Sequence, residues 1–77
     1  MRNKMKIHSA TLINDTELVG IFNDTRRTFQ AGAKVTAIQL DENIWHLNAE
    51  LDNEMYDGYA NTATLNIGEI INTVNEG

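Results

Sequence analysis

Few groups in this sequence could do chemistry. There is one serine, Ser9, and there are two histidines, His8 and His46, and no cysteine. A hydrolytic triad needs a hydroxyl, an imidazole and a carboxylate in mutual contact. Ser9 and His8 are chain neighbours, and neighbours on a strand face opposite ways. Only His46 could then serve Ser9, with no carboxylate marked to stand behind it. Without cysteine there is neither a thiolate nucleophile nor a disulfide. Gly32, Gly58 and Gly68 are isolated from one another, so no glycine-rich loop cradles a phosphate. A non-enzymatic protein with no cofactor is expected.

The acidic stretch around Glu50, Asp52, Glu54 and Asp57 is the more informative cluster. With His46 these carboxylates would suit a hard cation, but the Asp52–Gly58 segment lacks the alternating oxygen spacing and mid-loop glycine of a calcium loop. No metal is expected. Acid–base work by Asp41/Glu42 or Asp52/Glu54 would need a cleft that shifts a pKa, and so short a chain offers little cleft. The stretch reads instead as a contact surface. Glu50, Asp52, Glu54 and Asp57 supply charge, and Tyr56, beside Met55, supplies an aromatic anchor of the kind that dominates protein interfaces.

Charge is unevenly placed. All six basic residues (Arg2, Lys4, Lys6, Arg26, Arg27 and Lys34) lie in the first 34 positions, where the formal charge is +3; from Val35 onward there are eight acids, no Lys or Arg, and a charge of −8. A one-signed field attracts an oppositely charged partner and speeds encounter. A larger, basic protein is therefore the expected partner. Direct nucleic-acid binding is not, because phosphate contacts dominate such affinity and the net charge of −5 opposes them.

These residues must be positioned by a small fold. Seventy-seven residues make one domain, spanning residues 1–77, with residues 1–5 as a flexible arm before the first patterned segment. The chain is 42% hydrophobic and 22% charged, which suits a soluble domain better than a disordered or membrane-spanning one. No apolar stretch follows the basic Met1–Lys6, so no leader is expected and the location reads as cytoplasmic. Strand-like runs are expected over Lys6–Ile13, Glu17–Phe22, Arg26–Gln30, Lys34–Leu40, Ile44–Leu51 and Tyr59–Ile67. The clearest is Ile44–Leu51, where Trp45, Leu47, Ala49 and Leu51 alternate with His46, Asn48 and Glu50. Trp45, Leu47, Leu51, Val35 and Ile38 are the expected core. Asp57-Gly58 reads as a hairpin or bulge signal. At the C-terminus Ile67, Ile70, Ile71 and Val74 recur at i, i+3, i+4 and i+7, and Asn66 with Glu69 resembles a capping pair; this spacing predicts a short helix. A final strand over Glu69–Val74 is the competing reading. Mainly β structure in a five- to six-stranded SH3-like barrel with a C-terminal helical turn is expected.

Residues 31–65 carry a family likeness. Gly32-Ala33-Lys34-Val35-Thr36-Ala37-Ile38 precedes Trp45-His46-Leu47, then Asp57-Gly58-Tyr59-Ala60 and Thr64-Leu65. In this order they resemble the bacterial SH3-type (SH3b) barrel domain, with Tyr59 where that family usually carries Trp. The resemblance implies a small barrel and, from some members, binding to peptidoglycan of the cell envelope. The acidic half and the lack of catalytic groups resemble small phage or mobile-element proteins that inhibit a host factor, inhibitors of CRISPR nucleases among them, by presenting carboxylates where a nucleic acid would lie. The functional expectation is such an acidic decoy for a nucleic-acid-binding protein, as monomer or homodimer, with envelope binding as the alternative.

Overall fold

The computed structural model describes residues 3–76 of the chain, with side chains over residues 5–74. Seven strands form one antiparallel sheet: β1 (Asn3–Leu12), β2 (Thr16–Gly20), β3 (Arg26–Phe29), β4 (Lys34–Gln39), β5 (Ile44–Leu51), β6 (Glu54–Asn61) and β7 (Leu65–Glu76). Their spatial order is β3-β2-β6-β5-β4-β1-β7. The fold is mainly β, as expected. The sheet is not closed: β3 and β7 are its two edges, and among the described residues no ladder joins them. Of the arm expected over residues 1–5, Asn3–Met5 belong to β1 and pair with Val74–Glu76; residues 1 and 2 lie outside the described residues.

Alternation along the strands sorts the side chains onto two faces. Trp45, Leu47 and Ala49 of β5 share a face with Val35 and Ala37 of β4, Ala10 and Leu12 of β1, Leu18 of β2 and Tyr56 of β6. These residues, with Phe29 and Leu65, form one buried cluster. Leu12, Leu18 and Leu47 are sealed completely, each contributing about 1.5–3 kcal/mol relative to exposure. A flat single sheet would leave this face wet, so the sheet must curl over its own inner face. Short links support the curl: three residues, Ile13, Asn14 and Asp15, join β1 to β2 although β4, β5 and β6 lie between them in the sheet, and Ala31 N–H donates to Asp15 Oδ1 at 2.9 Å. The accessible surface is 5444 Å², above the roughly 4,700 Å² that a compact monomer of this mass would show. The extents of 37 × 27 × 18 Å agree with an open, elongated shape.

The expected C-terminal helix is absent. Residues Leu65–Glu76 are strand β7, paired along its length with β1. The register shifts between Ile7 and His8 and again between His8 and Ala10. Each irregularity adds residues to β7 without a partner on β1 and so breaks strict alternation. Ile67 and Ile70 therefore share a face, opposite Ala10 and His8, although they lie three apart; Ile67 packs against the core, whereas Ile70 is 49% exposed. The spacing of Ile67 and Ile70 is thus that of a bulged strand, whereas Ile71 has no partner on β1, Val74 pairs with Met5, and both are exposed. The only helical element among the described residues is a 3-10 turn over Thr62–Thr64.

Two further expectations are corrected by register. Asp57-Gly58 is not a turn. Gly58 lies inside β6 opposite Leu47, and a Cβ there would meet Leu18 Cδ2 at 2.7 Å, so glycine lets β2 and β6 approach. The hairpin turn falls at Asp52-Asn53, with φ of 54° and 65°. Positive φ at both central residues of a two-residue loop matches the twist of the flanking strands. Of the expected core, Trp45, Leu47 and Val35 are buried, but Leu51 is 37% exposed. It pairs with Glu54 on the last rung of this hairpin, beyond the reach of β4 and β2. Ile38 is half-buried on the opposite face from Val35, because three residues along a strand reverse the side.

Candidate functional site

The acidic residues singled out in the sequence are not brought together as one patch. Glu50 is exposed on the outer face opposite Met55. Asp52 sits in the β5–β6 turn, where its Oδ2 accepts from Arg27 Nη1 at 3.3 Å. Glu54 Oε2 accepts from Asn23 Nδ2 at 3.1 Å and from the Tyr56 hydroxyl at 3.3 Å. Asp57 lies well along β6, opposite Asn48, and its Oδ2 is 3.0 Å from His46 Nε2. Along β6 three residues separate Asp57 from Glu54 by roughly 10 Å, and Asp52 lies beyond Glu54 in the turn.

Tyr56 is not an exposed anchor. Only 3% of it is accessible, and its ring packs edge to face on Phe29 with centroids 5.4 Å apart. Its parity on β6 is that of Ala49, so it points into the core. Tyr59, three residues on, faces outward and is 67% exposed.

The residue that sequence reasoning missed is Phe22. In the sequence it closes the apolar run Glu17–Phe22, but β2 stops at Gly20 and Phe22 lies in the β2–β3 turn, 90% exposed. The turn is tightly built. Gly20 N–H donates to Thr25 at 2.7 Å, Asp24 N–H returns to Gly20 at 3.1 Å, and the Asn23 side chain accepts from Thr25 N–H at 3.1 Å. The signal in the sequence was a phenylalanine directly before Asn23-Asp24, a turn pair. Ile21 N–H donates to Met55 C=O at 2.9 Å and so fastens this turn beside the β5–β6 hairpin.

The two turns together form one end of the molecule. Phe22, Asn23, Asn53, Glu54 and Met55 line an open cleft of about 190 Å³. Ile21, Leu51 and Met55 are also exposed there, and Asp24, Glu50, Asp52 and Glu54 lie on the same turns and rungs. Phe22 and Met55 give the cleft apolar surface, Asn23, Asn53 and Glu54 give it polar groups, and further carboxylates lie nearby in the chain. Two of those carboxylates are already held by Arg27 and Asn23.

The groups with catalytic potential are kept apart. Ser9 Oγ donates to the Glu69 carbonyl at 3.4 Å, at the bulged part of β1 and β7. His8 packs edge-on against Trp45, with ring centroids 5.3 Å apart. His46 is bound to Asp57 on the outer face. Among the described residues no three His, Asp or Glu side chains converge as a metal site would require, and no helix is long and apolar enough to cross a membrane.

Comparison with protein-family models, with curated proteins and with solved structures returned no match to this chain. What the structure defines is a class by architecture alone: a small all-β domain built on one curled, seven-stranded antiparallel sheet.

Proposed function

We propose that this chain is a non-enzymatic protein-recognition module that binds through the end formed by its β2–β3 and β5–β6 turns. The observation that carries the reading is Phe22, a large aromatic residue 90% exposed on a well-bonded turn. Solvating a phenylalanine that could be buried is costly, and exposed apolar patches rimmed by polar groups mark protein contact sites. Its partner is a larger, basic protein, because the chain carries eight acids and no Lys or Arg from Val35 onward. Carboxylates of Glu50, Asp52 and Glu54 would then lie where that protein normally holds phosphates. A phage or mobile-element inhibitor of a host nucleic-acid-binding protein, of the anti-CRISPR kind and acting in the cytoplasm, is the biological form this reading takes.

The test is capture from a bacterial lysate with tagged protein, followed by affinity measurement with the purified partner. Phe22→Ala is expected to weaken binding at least about tenfold while the fold persists, as removal of an interface anchor does. Asp52→Lys with Glu54→Lys is expected to weaken it further, and added salt to weaken the wild type by screening exposed charges over about 10 Å at 0.1 M. Wild-type affinity in Phe22→Ala would overturn the assignment of the surface. Retention by the cell-wall fraction instead would favour the envelope-binding role that the SH3-type likeness of residues 31–65 implies.

A further inference from the structure

The outer face of β5 and β6 holds an arrangement that the turn surface does not use. Tyr59 lies inside β6 rather than at a turn, yet it is 67% exposed. Its cross-strand neighbour is His46. The two rings lie 5.1 Å apart and are tilted by 44°, so the imidazole backs the phenol and limits its motion. His46 is itself held. Its Nε2 is 3.0 Å from Asp57 Oδ2, and its Nδ1 is 3.5 Å from the Asn48 amide nitrogen. In the Nε2–H tautomer both contacts are satisfied, with the imidazole donating to Asp57 and accepting from Asn48.

The fixed geometry leaves two features facing solvent. One is the open side of the Tyr59 ring. The other is Asp57, whose side chain is 39% exposed and whose Oδ1 has no hydrogen-bond partner among the described residues. Tyr59 and Asp57 are two apart on one strand and so share a face, with Cα atoms about 7 Å apart. An electron-rich ring beside a carboxylate oxygen is complementary to a planar cation, which stacks on the ring and donates an edge N–H to the carboxylate. Guanidinium suits this better than ammonium, because it is flat, weakly hydrated and presents its donors in a fixed plane. Neither β5 nor β6 contains a Lys or Arg, and Arg26 of β3, on the same rung across Val19, is paired with Glu17 at 3.5 Å.

We propose that Tyr59 and Asp57 form a receptor for an arginine side chain of a protein partner, with His46 and Asn48 as positioning residues. The occupant follows from charge complementarity: Glu50 lies on the same face of β5, and the chain has only acidic charges from Val35 onward. The proposal rests on the reading of this chain as a module for a basic protein. It does not rest on the turn surface, and the two can fail separately.

The experiment is an amide-resolved NMR titration of the full chain with a short capped peptide containing two arginines, and with its lysine counterpart. The expected result is a set of shifts centred on His46, Asn48, Asp57 and Tyr59, with the arginine peptide bound at least about threefold tighter than the lysine one. Tyr59→Phe should retain binding, while Tyr59→Ala and Asp57→Asn should each weaken it about fivefold or more. Both positions are outside the core, and melting curves would verify that each variant is folded. Phe22→Ala should leave this titration unchanged. Equal affinity for the two peptides, shifts centred on Phe22 and Met55, or undiminished binding by Tyr59→Ala would overturn the proposal. A neutral oligosaccharide tried as a second probe should produce no shifts at these residues; saturable binding of it there would replace arginine with a carbohydrate ligand.

Discussion

The indole N–H of Trp45 donates to the hydroxyl of Thr62 at 2.8 Å, and that hydroxyl donates in turn to the Glu42 carbonyl at 3.0 Å. This relay ties the start of β5 to the 3-10 turn before β7 and to the β4–β5 turn. The β4–β5 turn is closed from its other side by Asp41 Oδ1, which accepts from the N–H groups of Asn43 and Ile44 at 2.8 and 2.9 Å. A buried indole thus has its polar atom satisfied by a residue that also fixes two loops.

Replacement of Trp45 by alanine should therefore cost about 3–5 kcal/mol, the range for a truncated buried aromatic residue, in a domain whose whole stability is roughly 5–10 kcal/mol. Thr62→Val keeps the shape but removes both hydrogen bonds and should cost about 1–3 kcal/mol. Urea unfolding followed by Trp fluorescence would measure the Thr62 variant, and circular dichroism the Trp45 one. A Trp45→Ala protein as stable as wild type would mean that the indole is not a core element.

The close approach at Gly58 makes a second prediction. Gly58→Ala would press a methyl group against Leu18 and should cost about 1–3 kcal/mol as overpacking. Shortening the opposing side chain should relieve it. In a double-mutant cycle, Gly58→Ala with Leu18→Ala should be less destabilised than the sum of the two single variants by about 0.5 kcal/mol or more. Strict additivity would show that the added methyl group and Leu18 do not compete for the same space.

Turn geometry at Asn53 is equally testable. A β-branched residue at φ of 65° meets steric strain that asparagine largely avoids, so Asn53→Val should lose about 1–2 kcal/mol. Thermal melting would detect this as a lower midpoint. An unchanged midpoint would mean that the hairpin closes with a different turn.

The exposed ion pairs should matter little to stability. Arg27 and Asp52 meet at 3.3 Å, with side chains 42% and 80% exposed, and Arg27→Ala should change stability by less than about 1 kcal/mol. The same substitution frees the Asp52 carboxylate and adds to the negative charge of the turn surface. Partner binding through that surface should strengthen or stay equal, measured by titration calorimetry; a clear loss would place Arg27 itself in the contact.

How much of this was legible before the fold is clearest from β5. Trp45, Leu47 and Ala49 alternate with His46, Asn48 and Glu50, and period-2 alternation alone placed the first three inside. The mainly β class, Val35 as core and the uneven charge are likewise properties of residue order and type. Leu51 continued the pattern but not the burial, because alternation gives the side of the sheet and not whether another strand covers it. Tyr56 and Tyr59 could not be told apart until the register of β6 against β5 was known, since a shift of one residue exchanges the two faces. Phe22 needed the end point of β2.

The C-terminus is where local pattern and tertiary structure part. Ile67, Ile70, Ile71 and Val74 carry a helical spacing, yet the segment pairs with β1 as a strand. Two register shifts opposite His8 put Ile67 and Ile70 on one face of a strand. The sequence by itself determined which strands would bury a face and that the second half would be acidic, because these depend on side-chain type and near neighbours. Strand order, the open edges at β3 and β7, and the meeting of the β2–β3 and β5–β6 turns were decided by tertiary structure. They depend on hydrogen bonds between residues far apart in the chain, and backbone donors and acceptors are the same in nearly every residue, so they leave no mark in residue type.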